Sequence, residues 1–157
     1  MNIIEAVKTC VVEKYCCFSG RARRSEFWYF YLATMLLSWA ISILGLGNIT
    51  AAAQQLVATG DELAYMQAIF SSPSFIISSL LGLALMLPML GASTRRLHDI
   101  GKSGWWLVGF FITCMIPLVN FIAIIVYIYF MAKDSEPGDN QYGPNPKNIN
   151  EKWEITE

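Results

Sequence analysis

The densest group of side chains able to do chemistry is Arg95-Arg96-Leu97-His98-Asp99-Ile100-Gly101-Lys102-Ser103-Gly104-Trp105-Trp106. Guanidinium forks match phosphate oxygens, so Arg95, Arg96 and Lys102 beside two tryptophans suit an anionic lipid headgroup. His98 next to Asp99 has the makings of a general base, but no serine, cysteine or second acid stands where it would complete a nucleophilic system. Gly101-Lys102-Ser103 echoes the end of a phosphate-binding loop; the upstream glycine and the preceding strand are missing, which removes that reading. On a continuous helix Arg95 and Asp99 share a face at i,i+4, Arg96 turns away, and Gly101 ends the helix. Arg23, Arg24 and Glu26 stand just ahead of an apolar run, where a pairing of Glu26 with Arg95 or Arg96 would neutralise charge. The candidate site is therefore Arg23, Arg24, Glu26, Arg95, Arg96, His98, Asp99, Lys102, Trp105 and Trp106. Its first reading is structural, tying helices together, and its second is contact with anionic lipid or a partner. No catalytic residue is assigned. One histidine and four cysteines without a Cys-x-x-Cys pair supply neither a zinc set nor a disulfide framework, so no metal or cofactor is expected.

Long neutral stretches position these residues. No Asp, Glu, Lys or Arg occurs from Phe27 to Gly60, from Leu63 to Thr94, or from Gly104 to Ala132. The 157 residues are 55% hydrophobic and 15% charged, against roughly 45–50% and 25% in soluble domains. A hydrocarbon core of ~30 Å takes about 20 helical residues. The expected architecture is all-α and polytopic, with spans at about 27–47, 74–93 and 105–131. The third stretch is roughly 40 Å long as one helix. A single span kinked at Pro117 is preferred, and a hairpin turning near Pro117 and Asn120, giving four spans, is the alternative. A soluble bundle would require a polar face on each helix, and none is visible. A net charge of −1 provides no basic field for nucleic acid.

Basic residues set the expected orientation, because Lys and Arg in short flanking loops stay cytoplasmic. Lys8, Lys14, Arg21, Arg23 and Arg24 precede the first span, and Arg95, Arg96 and Lys102 lie between the second and third, whereas Asn48–Ser72 carries only Asp61 and Glu62. The N-terminus and the Arg95–Lys102 loop are thus expected inside and Asn48–Ser72 outside. The tail from 133 to 157, with three lysines against six acids, suits the outer face of a three-span protein. Residues 1–26 read as an uncleaved cytoplasmic segment whose first 17 residues form an amphipathic helix presenting Ile3, Val7, Cys10, Val11 and Tyr15. Ser25 is a candidate helix cap, and Phe27 to Tyr31 together with Trp105 and Trp106 form aromatic belts. Small and hydroxyl residues at four-residue spacing (Thr34, Ser38, Ser42; Ser78, Gly82; Gly109, Thr113) suit close helix packing. Asn48–Ser72 has room for one or two short interfacial helices broken at Gly60, and the Pro/Gly/Asn-rich tail reads as turns.

Three blocks, Phe18-Ser19-Gly20-Arg21-Ala22-Arg23-Arg24-Ser25-Glu26-Phe27-Trp28, then Arg95 to Trp106, then Asp139-Asn140-Gln141-Tyr142-Gly143-Pro144-Asn145-Pro146, resemble the bacterial "domain of unknown function 805" family. The resemblance spans Phe18 to Pro146 in the family's order. It implies a small integral protein of the bacterial inner membrane and brings no established reaction. The segment Asn48–Ser72 is longer than in such proteins. Together these readings give a non-enzymatic structural or binding module whose partners are membrane lipids, another membrane protein or further copies of itself. The alternatives are a small oligomeric transporter or channel component and a membrane enzyme acting on lipid phosphate.

Overall fold

The computed structural model describes residues 1–147; Lys152 and the rest of the expected tail lie outside them. Among the described residues the chain is helical, with no strand beyond an isolated bridge between Asn140 and Gly143. The helices are α1 (Ile3–Lys8), α2 (Arg24–Thr59), α3 (Glu62–Phe70), α4 (Pro73–Asp99), α5 (Trp106–Cys114) and α6 (Pro117–Ala132). Two units make up the chain, one from residues 1–31 and 87 onward, the other from residues 32–86.

In the first unit, α1 opens on a reciprocal cap in which Asn2 accepts from the Glu5 amide while Glu5 accepts from the Asn2 amide. It passes into one π-helical turn, Thr9–Glu13. The expected 17-residue helix is thus about two-thirds realised, and its buried face is Ala6 and Cys10 rather than the whole Ile3–Tyr15 stripe. Ile4 and Val12 point outward. The aromatic belt also divides, since Phe27 and Phe30 are buried while Tyr29 and Tyr31 are exposed. Helix α2 begins at Arg24, so Ser25 lies inside its first turn instead of capping it.

The stretch expected as one kinked span is a helical hairpin. The residue before a proline is pushed out of the helical region, and Ile116 is extended at φ −103°, ψ 112°, with Pro117 opening α6. The arms fold back on each other. Trp106 packs edge-on against Phe130 at 5.4 Å, and Phe110 against Tyr127 at 5.5 Å, pairing the start of α5 with the end of α6. At 1.5 Å per residue the arms are about 14 and 24 Å long, so neither matches a ~30 Å core.

The tail to residue 147 is a run of turns, but it is anchored. Asn145 accepts from the Lys147 amide and donates its own amide to Asp139, and the tail backbone is gripped by side chains of the N-terminal loop and α4. The tail therefore packs against the N-terminal loop.

In the second unit, α2 continues as helix past residue 47 to Thr59, which absorbs the first of the expected interfacial helices. The break falls at Gly60, whose φ of +67° favours glycine. Asp61 then caps α3 by accepting from the Ala64 amide at 3.0 Å. Ser38 and Ser42 donate back to carbonyls four residues earlier on their own helix, which satisfies hydroxyls in an apolar setting without a substrate. Helices α2 and α4, of 36 and 27 residues, are long and apolar enough to cross a membrane.

Candidate functional site

The last turns of α4 carry Arg95, Arg96 and Asp99, and all three side chains are 0% exposed. Charges survive such burial only when paired and hydrogen-bonded. Asp99 Oδ1 accepts from Arg21 Nε at 3.0 Å and Oδ2 from Arg96 Nη1 at 2.7 Å. Arg95 Nη2 meets Glu26 Oε1 at 3.0 Å. The expected Glu26 pairing is therefore formed with Arg95. The expected Arg95–Asp99 pairing along the helix is not: Asp99 takes Arg96, one step closer, because Arg95 is turned to Glu26 and Arg21 fills the other carboxylate oxygen.

Both of the arginines around Asp99 also organise backbone. Arg96 Nε donates to the carbonyl of Met131 at 3.0 Å, and its Nη2 to that of Lys133. These carbonyls end α6, where a cation is favoured by the helix dipole. Arg21 Nη2 donates to Glu136 O at 2.8 Å and Nη1 to Gly138 O at 2.8 Å. The amides of Ala22 and Glu136 donate to the carbonyls of Arg95 and Asp99. The result is a clasp that holds the N-terminal loop, the end of α4, the end of α6 and the tail together.

His98 is half-buried at the rim of this clasp. Its Nδ1 lies 3.2 Å from Gly20 O, its ring stacks on Tyr142 at 3.8 Å between centroids, and its carbonyl accepts from Asn140 Nδ2 at 2.9 Å. With Nδ1 on a backbone carbonyl and one face covered, the ring is a packing element. Gly101, at φ +73°, ends α4 as expected and lets the Glu136 carboxylate approach. Cys10 Sγ lies 3.7 Å from Arg95 Nη2, and burial first, with the Glu26 carboxylate second, pushes its thiol up to about 11.

The other expected residues stand outside the clasp. Arg24 forms an exposed pair with Asp134 at 3.1 Å. Lys102 lies 5.9 Å from the centre of the Trp106 ring, Trp105 is 79% exposed, and Arg23 is half-buried. Arg21, Cys10, Glu136, Asn140 and Tyr142 belong to the site but were not among the residues expected there. A clue to most of them existed, because the clasp joins Arg21, Asp99 and Gly138–Gly143, and all three family-like blocks contribute to it or border on it.

Among the described residues no group of three or more His, Cys, Asp or Glu is arranged to hold a metal ion. The chain matches, over residues 15–144, the family described as "Protein of unknown function (DUF805)". It is 31% identical over 137 residues to "Inner membrane protein YhaH" of Escherichia coli (strain K12), covering 87% of this chain and 93% of that relative. It is 34% identical over 137 residues to "Inner membrane protein YhaI" of the same strain, covering 87% and 92%. No solved structure matches it.

Proposed function

The chain belongs to the DUF805 family, and from that premise we propose that it is a multi-pass protein of the bacterial inner membrane acting as a non-enzymatic binding module for anionic lipid. In this reading α2 and α4 cross the bilayer, and the α5–α6 hairpin enters it from the cytoplasmic side and returns. The N-terminal loop, the clasp and the tail are all cytoplasmic. The positive-inside bias of Arg21, Arg23, Arg24 and Lys102 supports that orientation.

The observation that carries the functional reading is the complete burial of Arg95, Arg96 and Asp99 against protein partners. The Arg96 guanidinium is taken up by Asp99 and the carbonyls of Met131 and Lys133, and Arg95 meets Glu26 through Nη2 while its Nε and Nη1 are buried without a hydrogen-bond partner, so both build a platform out of reach of phosphate. Lipid contact then falls to the cationic and aromatic residues outside the clasp, Arg23, Lys102, Trp105 and Trp106. A lysine or arginine at an anionic surface contributes about 1 kcal/mol. Arg23→Ala and Lys102→Ala together are expected to weaken association with phosphatidylglycerol vesicles by on the order of tenfold at low salt, an effect that shrinks as salt screens it. Equal binding by the double variant and the parent, measured by co-flotation at two salt concentrations, would rule this reading out.

A further inference from the structure

The hairpin encloses a groove of about 260 Å³ between its two arms. Trp106, Gly109 and Phe110 line it from α5, and Val119, Ile122 and Ala123 from α6. Each set follows the i, i+3, i+4 rhythm of one helix face. The wall is apolar apart from the Thr113 hydroxyl, which is spent on its own helix through the carbonyls of Gly109 and Phe110. A Cβ built on Gly109 meets nothing within 4 Å, so the groove is open above that residue. At ~30 Å³ for a water-sized group, the volume holds roughly nine methylene-sized units.

One end of the groove is marked by charge. Trp106 forms part of the lining, and the Lys102 ammonium sits 5.9 Å from the centre of its ring. Among the described residues Lys102 has no carboxylate within ion-pair distance. Tryptophan at a helix entry belongs at the headgroup level. A cation at that level with no carboxylate partner among the described residues, continuous with an apolar slot running toward the hairpin turn, has the complementarity of a phospholipid: phosphate at one end and acyl chain at the other.

We propose that the α5–α6 groove seats one acyl chain of an anionic phospholipid whose phosphate pairs with Lys102. The inference rests on the lipid-contact reading above and adds a defined, single-lipid site to it. Gly109 is what keeps the slot open, and Lys102 selects the headgroup.

The test uses the full chain in a mild detergent, with phosphatidylglycerol and phosphatidylethanolamine of identical acyl chains as probes and native mass spectrometry as the readout of retained lipid. The parent is expected to hold one phosphatidylglycerol in preference to phosphatidylethanolamine. Gly109→Leu fills the slot and is expected to cut that retention on the order of tenfold without lowering the melting temperature. Lys102→Gln is expected to retain one lipid but to lose roughly fivefold of the headgroup preference. Gly109→Ala, whose methyl has open space, is the second variant and gives a smaller loss in the same direction should Gly109→Leu prove unstable. Unchanged retention in both Gly109 variants, with the headgroup preference intact, overturns the groove while leaving the surface reading standing. No headgroup preference in the parent overturns both. A change in oligomeric state with Gly109→Leu, in place of lipid loss, makes the occupant a second copy and also overturns the proposal.

Discussion

At the scale of single residues, the site is governed by which charges are out of water. Removing one member of a buried ion pair costs about 3–5 kcal/mol, because it strands the other charge. Glu26→Ala and Arg95→Ala are each expected to destabilise the protein by about that amount, and the double variant by about 1–3 kcal/mol less than their sum. Denaturant titration in micelles measures the coupling, and strict additivity would mean that the pair is not formed. Cys10 provides a second handle. Its thiol is pushed up from 9.0 to about 11 by burial and by Glu26, while hydrogen bonding by Ser19, side chain first and backbone second, pulls Cys17 down. At pH 8 a thiolate-selective alkylating reagent is expected to modify Cys17 and spare Cys10, as read by peptide mass mapping. Because the folded Cys10 keeps its proton longer than the unfolded one, its contribution to stability is full below pH 9 and is lost as the pH rises toward about 11. Alkylation of Cys10 as fast as Cys17 in folded protein would contradict its burial. The charges of this site were visible in the sequence, but their partners were not. Arg95 and Asp99 have allowed helix spacing, and only the distant Glu26 and Arg21 decide that Arg96 takes Asp99 instead.

At the scale of elements, the two long apolar helices were legible because a run without charge is a property of composition, independent of what packs against it. The hairpin was harder. A 27-residue apolar run fits a kinked span as well as two short arms, and Pro117 marks a break without fixing the angle. The deciding contacts, Trp106 with Phe130 and Phe110 with Tyr127 and Phe130, join residues 17–24 apart in sequence and leave no periodic trace. Aromatic pairs of this geometry contribute about 0.5–1.5 kcal/mol each beyond area burial. Phe110→Ala, which removes two of them, is therefore expected to cost about 1–3 kcal/mol on top of the apolar area it uncovers. Phe111→Ala, an exposed neighbour on the same helix, is expected to cost far less. Equal unfolding free energies for the two variants in denaturant titration would argue that α5 and α6 do not pair.

At the scale of the whole molecule, the contacts of the tail constrain topology more tightly than its charge does. Three lysines against six acids after Met131 suggested the outer face, since the positive-inside rule reads the shortage of basic residues. Yet Arg21 donates to Glu136 O and Gly138 O at 2.8 Å, and Arg24 pairs with Asp134 at 3.1 Å. Groups that close cannot lie on opposite sides of a ~30 Å hydrocarbon layer. In the proposed topology the loop at 18–24 and the tail at 132–143 are therefore placed on one face, with an even number of crossings between them. The acids of the tail do not contradict this, because acidic residues contribute little to orientation and Asp134 is engaged by Arg24 and Lys147. Two crossings by α2 and α4, with the hairpin returning to its side of entry, meet the requirement. Four crossings meet it also, but would ask arms of about 14 and 24 Å to span the core. A fluorescent protein fused after residue 157 is expected to fluoresce, and alkaline phosphatase at the same position to be inactive. A cysteine at Gly60 is expected to react with a membrane-impermeant thiol reagent added from outside. An active phosphatase fusion would place the tail across the membrane from the N-terminal loop and break the clasp on which the site depends.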